Sequence, residues 1–120
     1  KYSNAGQMCV APDYILVHKR KKEGLIAALK NTIPQFYGKD PANTEGYGRI
    51  INQKQFDRII GYLNNGKIIY GGKYDAANLF IEPTIIDDVS VDAPIMQEEI
   101  FGPILPILSF DSIEEAKAII

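Results

Sequence analysis

The chain has 120 residues, 46% of them hydrophobic and 23% charged, which is the composition of a folded domain or a piece of one and excludes a disordered tail. With 13 basic and 15 acidic residues the formal net charge is -2, so no broad positive field exists for gripping a phosphate backbone, and nucleic acid is excluded as a main partner. A single cysteine, Cys9, and a single histidine, His18, exclude a disulfide framework and an ordinary structural zinc site, and no apolar run approaches the ~20 residues that cross a bilayer.

The lone cysteine points to a reducing compartment, and the amino end has no apolar stretch of the secretory kind, so the expectation is a cytoplasmic chain. Residue 1 is lysine and the sequence stops at Ile119-Ile120, about two turns into a new helix, so the further expectation is a fragment of a longer protein.

In chain order, Lys1 to Asp13 places small and polar residues around Asn4-Ala5-Gly6-Gln7-Met8-Cys9 and closes with Pro12, which reads as a helix end or tight loop. Tyr14-Ile15-Leu16-Val17 is a continuous apolar run that predicts a strand buried on both faces. Leu25, Ile26, Leu29 and Ile33 recur at helical spacing and predict a helix from Glu23 to about Thr32, led in by the basic run His18 to Lys22. That run reads as a solvated face. Pro34 removes an amide donor and should end or kink the helix, and Phe36 and Tyr37 then supply two aromatic anchors before a loop over 39–48.

Asn52-Gln53-Lys54-Gln55 has the form of a capping box ahead of Phe56, Ile59, Ile60 and Leu63, which predicts a helix closing near Asn64-Asn65-Gly66 with Gly66 left-handed. Lys67-Ile68-Ile69-Tyr70 predicts a short strand and Gly71-Gly72-Lys73 a turn. Leu79-Phe80-Ile81 runs through Pro83 into Thr84-Ile85-Ile86, an edge strand or two short strands broken at the proline. Ile104 to Leu108 predicts another buried strand, against which Pro106 counts, and Ser112-Ile113-Glu114-Glu115 is a second capping box opening a last helix. Strand, helix, helix, strand, strand, strand, helix is the order of an α/β layer architecture.

Two readings of Cys9 stand side by side. A lone cysteine is most often an inert, buried small hydrophobe. Gly6, however, permits a turn or close backbone approach, and Pro12 stiffens the exit, so the thiol sits where a scaffold can hold a nucleophile. Such a nucleophile needs its pKa, ~8.5 when free, lowered or a base nearby. His18 cannot be that base: an extended strand at ~3.3 Å per residue sets it more than about 15 Å away, which argues against a papain-like hydrolase. Glu98 and Glu99 are adjacent, and sequence neighbours point apart, so they read as a solvated or salt-bridged pair and not as a glycosidase acid and base.

Tyr2 to Asp13, with glycine and glutamine three and two positions before Cys9, resembles the active-cysteine signature of the aldehyde dehydrogenase superfamily, and Val10-Ala11-Pro12-Asp13-Tyr14 resembles its class 3 branch of fatty and aromatic aldehyde dehydrogenases. Met96 to Pro103 resembles the family's cofactor-contact segment, about ninety residues downstream. Phe36-Tyr37-Gly38, Tyr47 to Ile51 and Glu82 to Ile85 look like class 3 counterparts, so the resemblance covers essentially the whole chain.

The resemblance implies an α/β fold forming part of the catalytic domain, with Rossmann-like layers and a largely parallel or mixed sheet. Residues 1–120 would be the nucleophile-bearing part, lacking the cofactor-binding domain and the C-terminal oligomerisation segment. It implies that Cys9 attacks the aldehyde to give a thiohemiacetal and then a thioester, with hydride passing to NAD or NADP. The Cys9 amide would form half of an oxyanion hole. Glu99 would hold the nicotinamide-side ribose hydroxyls and Phe101 would pack by that ribose, while Glu98 carries no catalytic role.

The parent would be a homodimer acting on medium-chain aliphatic or aromatic aldehydes, without a metal. The general-base glutamate and the oxyanion asparagine lie in absent segments, so the isolated chain should be inactive. Met8 departs from the small or polar residue common before the cysteine, and Pro34 interrupts a helix expected to run on in relatives. The rival readings are a non-catalytic homologue that keeps the fold, and a CoA-acylating or phosphorylating relative, against which Val10-Ala11-Pro12 counts.

Overall fold

The apolar runs of the sequence become the strands of one mixed sheet. In the computed structural model, which describes residues 1–120, strands β1 (Ile15–His18), β2 (Lys67–Tyr70), β5 (Thr84–Asp87) and β6 (Ile104–Phe110) form a four-stranded sheet in the order β1-β6-β5-β2. A separate hairpin pairs β3 (Tyr74–Asp75) with β4 (Phe80–Ile81). Helices α1 (Lys19–Tyr37), α2 (Gln53–Gly61) and α3 (Ile113–Ile119) complete the α/β fold, and none is long and apolar enough to cross a membrane.

β6 lies parallel to both β1 and β5, with Ile15 opposite Ile107 and Ile85 opposite Leu105, while β2 runs antiparallel to β5. Ile85, Ile86, Ile104 and Ile107 are fully buried on this frame, each contributing about 1.5–3 kcal/mol of transfer free energy. Pro106 is accommodated inside a central strand because pairing changes sides there. It is opposite Ile86 of β5, and the register with β1 begins one residue later at Ile107.

Several expectations are corrected. β1 is only half-buried, because it is the sheet's edge and pairs with β6 alone. α1 begins at Lys19, with His18 as its N-cap through a 3.1 Å bond from the Arg20 amide to Nδ1, and it runs through Pro34 to Tyr37. Ile33 is buried, and the Tyr37 ring meets Tyr2 and Tyr47 edge-on at centroid distances of 6.3 and 5.3 Å, so packing holds the last turn despite the lost donor. Because the helix continues, Phe36 faces outward at 74% exposure, and only Tyr37 acts as an anchor. Of the basic run, Lys19 pairs with Asp111 and Lys22 with Asp87, the latter at 2.6 Å.

Both capping serine-like positions work as the pattern predicts on one side. Asn52 Oδ1 accepts from the Gln55 amide at 2.9 Å and Ser112 Oγ from the Glu115 amide at 3.2 Å. The return bonds differ: Gln55 instead accepts from Arg58, and Glu115 reaches the Asp111 amide. Gly66 is not left-handed. Its small size is needed for a close approach, since a Cβ there would lie 2.5 Å from the Asp87 carbonyl oxygen. Gly71 and Gly72 do take positive φ, 70° and 96°, and turn the chain from β2 toward β3. The break at Pro83 separates β4 from β5, and β4 leaves the main sheet for β3, which the sequence did not announce.

Candidate active site

Two loops precede the parallel strands β1 and β6, and parallel pairing delivers both to the same end of the sheet. The first begins with a 3-10 turn over Ser3–Gly6, in which Asn4 and Ala5 take left-handed φ of 50° and 52°. Gly6 follows with φ 76°, and its missing side chain matters: a Cβ there would lie 2.2 Å from the Gly102 carbonyl oxygen. Gly6 therefore presses the cysteine loop directly onto the loop that carries Glu99 and Phe101. Gly102 is itself packed on α2, where a Cβ would meet Ile59 Cδ1 at 2.7 Å.

Gln7 fixes the loop laterally. Its Nε2 donates to the Arg49 carbonyl at 2.9 Å and to the Asn4 carbonyl at 3.1 Å, and its Oε1 accepts from the Ile51 amide at 2.9 Å. Cys9 then sits in a turn closed by the Ala11 amide on the Met8 carbonyl at 3.0 Å, and its free thiol is exposed. The reading of Cys9 as a buried small hydrophobe is thus overturned by its position at a loop tip. The Cys9 amide has no acceptor, and no histidine bonds the thiol, since His18 is occupied capping α1.

The second loop is held from three sides. Asp13 Oδ1 accepts from the Ile100 amide at 3.0 Å, so the exit from the cysteine loop clasps the other one directly. Arg58 of α2 donates Nη2 to the Ile100 carbonyl at 2.7 Å. Gly6 packs against Gly102 from beneath. Between these anchors Phe101 takes φ 48°, an unusual conformation for a bulky residue, and the residue is 36% exposed.

Glu98 and Glu99 differ in surroundings. Glu98 accepts from the Tyr62 hydroxyl and lies 3.4 Å from Arg58 Nη1; the Tyr62 bond and then the Arg58 charge hold its carboxyl below the usual range. The Glu99 carboxylate is exposed and makes no hydrogen bond. It lines an open groove of about 680 Å³ with Phe101, Gln55, Lys54 and Arg58, and a neighbouring groove of about 260 Å³ shares Phe101 and Ile51 with it. Cys9 lines neither groove.

Lys1 is placed behind the same junction. Its side chain is 4% exposed and its amine lies 4.0 Å from Asp13. Burial pushes that amine down to about 8, against the opposing pull of Asp13 and Glu99.

Sequence reasoning singled out Cys9, Glu99 and Phe101, and the structure brings their two loops into contact. It did not find Asp13, Arg58 or Tyr62 as supports, nor the partners of Gln7. The only signals available were the aspartate ending the cysteine segment and the arginine inside an amphipathic helix, and neither names a partner.

A scaffold of parallel strands brings two leading loops together, one with an exposed thiol and one with a free carboxylate beside an exposed aromatic residue, and this is the class of candidate site that the fold defines. Comparison with known proteins gives that class a family: the profile of the Aldehyde dehydrogenase family matches residues 1–120. The chain is 52% identical over 122 residues to the 4,4'-diaponeurosporen-aldehyde dehydrogenase of Staphylococcus aureus, covering 100% of this chain and 27% of that protein. It is 51% identical to human aldehyde dehydrogenase family 3 member B1, covering 97% and 25%, and 47% identical to the bovine dimeric NADP-preferring aldehyde dehydrogenase, covering 97% and 48%.

Among solved structures, the substrate-bound Staphylococcus aureus AldH superposes with a TM-score of 0.94 at 51% identity, over 98% of this chain and 26% of that one. A Mycobacterium tuberculosis aldehyde dehydrogenase complexed with NAD+ gives a TM-score of 0.80 at 35% identity, over 98% and 26%. The chain belongs to the aldehyde dehydrogenase family, and its α/β fold is that of part of the family's catalytic domain. It spans about a quarter of the length of the first of these relatives.

Proposed function

We propose that these residues form the nucleophile-bearing part of a longer NAD- or NADP-dependent aldehyde dehydrogenase, a cytoplasmic homodimer that oxidises aldehydes to carboxylic acids. The observation that carries this reading is the contact of Gly6 with Gly102, which sets the exposed Cys9 turn beside the loop of Glu99 and Phe101. Relatives bear on the cofactor: one is named as NADP-preferring and a similar structure holds NAD+.

The residues present fit a dinucleotide. Glu99 offers two unengaged oxygens on an open groove, suited to accepting from vicinal hydroxyls, and Phe101 exposes an aromatic ring at the same groove. When bound, the oxidised nicotinamide supplies a hydride acceptor.

The chemistry of the chain's own residues follows from the thiol. The Cys9 thiolate forms an S–C bond to the carbonyl carbon, and the π pair moves to oxygen. The unpartnered Cys9 amide can donate to that developing charge. The carbonyl then re-forms as the carbon loses its hydrogen with the bonding pair, leaving a thioester on Cys9. Water adds to the thioester carbon, the S–C bond breaks with its pair returning to sulfur, and the acid is released. The base that takes the water's proton lies in a segment outside these residues, so the isolated 120-residue chain should show no turnover.

The test uses the full-length enzyme with benzaldehyde or hexanal and each dinucleotide, beside a Cys9→Ala variant. Reduced nicotinamide should accumulate in the first and not in the second. Accumulation only when CoA or phosphate is added, or none with any aldehyde, would overturn the reading.

A further inference from the structure

The acidic pair leaves one carboxylate unexplained: both side chains are exposed at the same groove, but Glu98, unlike Glu99, is bound by other side chains. It meets a guanidinium that is itself engaged on every side. Arg58 donates Nε to Gln55 Oε1 at 2.8 Å, Nη1 to the Tyr62 hydroxyl oxygen at 3.0 Å and Nη2 to the Ile100 carbonyl at 2.7 Å. Nη1 also lies 3.4 Å from both Glu98 Oε1 and the Glu99 carbonyl oxygen. The Tyr62 hydroxyl closes the circuit by donating to Glu98, and the Arg58 guanidinium carbon stands 5.5 Å from the Tyr62 ring centre.

We infer that Arg58, Tyr62 and Glu98 form a positioning clamp that fixes the backbone at Glu99 and Ile100 and thereby sets the affinity of the site for its dinucleotide. The inference rests on the functional reading above. None of the three residues need touch the ligand; they act through the backbone that carries Glu99 and Phe101, the two residues that do.

The physical case is that, beside the Asp13 bond and the Gly6 contact, this irregular loop is held by the Arg58 side chain. Between a 3-10 turn ending at Met96 and the start of β6 at Ile104 the chain has no regular structure, and Phe101 must be kept at φ 48°. Two carbonyls in that stretch, at Glu99 and Ile100, face the same guanidinium; the first shares its peptide unit with the Ile100 amide that Asp13 holds, and the second belongs to the next unit. An arginine fork can address several acceptors in fixed directions at once, whereas a lysine ammonium keeps the charge and loses the fork. Glu98 meets the fork at Nη1 and accepts from the Tyr62 hydroxyl, and the Tyr62 bond first and the Arg58 charge after it hold its carboxyl low.

Arg58→Lys and Tyr62→Phe in the full-length enzyme test the clamp with two readouts besides turnover. Hydrogen exchange at the amides of residues 97–103, measured by mass spectrometry without dinucleotide, should accelerate in both variants. The dinucleotide dissociation constant, from equilibrium titration, should rise about tenfold in Arg58→Lys and less in Tyr62→Phe. Alkylation of Cys9 by iodoacetamide should stay within about twofold of the parent rate, which a general collapse of the site would not allow.

Tyr62→Phe removes a single hydroxyl and decides the matter if the arginine variant does not fold. Parent-like exchange and parent-like affinity in the folded variants would overturn the clamp, as would alkylation falling in step with affinity. An unsubstituted enzyme that neither binds dinucleotide nor turns over would sink the functional reading instead, while the exchange comparison would still judge the clamp.

Discussion

Adding one methyl group at Gly6 tests whether contact between the two loops builds the site. Gly6→Ala faces two separate penalties. At φ 76° an L side chain costs about 1–2 kcal/mol, and a Cβ 2.2 Å from the Gly102 carbonyl oxygen requires backbone to move, which costs typically about 1–3 kcal/mol more. The second penalty is isolated by Gly46→Ala, where φ is 91° and nothing lies within 4 Å of the new Cβ. Chemical denaturation midpoints of the two variants in the full-length enzyme, compared at a common slope, should differ by the overlap penalty of about 1–3 kcal/mol, with Gly6→Ala the less stable. Dinucleotide affinity and the Cys9 alkylation rate should both fall in Gly6→Ala and hold in Gly46→Ala. Equal midpoints, together with parent-like alkylation in both, would refute the claim that the two loops are joined through this contact.

Helix α2 offers a pair of opposite sign. Asn52→Ala removes the 2.9 Å bond to the Gln55 amide and should destabilise by about 1 kcal/mol, whereas Gly61→Ala, at a helical φ of -58° with nothing within 4 Å, should stabilise by about 0.5–1 kcal/mol, both read as shifts in the denaturation midpoint. For Lys1, burial lowers the folded pKa from 10.5 to about 8, so between these values only the unfolded chain holds the proton. Stability should therefore climb with pH from about 8 to 10.5 and be flat in this respect below 8. Carbon-13 methylation of the amine followed by an NMR titration should find the midpoint near 8, and a midpoint near 10.5 would contradict the burial.

Local signals in the sequence carried far where a residue's task is local. The four residues of β2 and the capping roles of Asn52 and Ser112 follow from runs and spacings a few residues long. Pro34 misleads because its effect on a helix is local while the counterweight is not. Tyr37 is held by Tyr2 from the start of the chain and by Tyr47 from the loop after the helix. Phe36 misleads by the same error carried two residues on. The candidate site shows the same division. A motif can mark Cys9 and a second can mark Glu99 and Phe101, yet the contact of Gly6 with Gly102 and the bond from the Ile100 amide to Asp13 exist only because β1 and β6 pair in parallel. No periodicity encodes that pairing.

The parallel pairing of the first and last strands also fixes when the site can come into being. During synthesis Cys9 emerges early, but its neighbours at Glu99 and Phe101, and the strand that brings them alongside, are among the last residues of this stretch to be made. At about 5–20 residues per second, the ribosome takes on the order of 5–20 s to pass from one loop to the other. For that interval the Cys9 turn lacks both the loop that Gly6 packs against and the Ile100 amide that Asp13 holds, so the candidate site is assembled only once the last strand is in place.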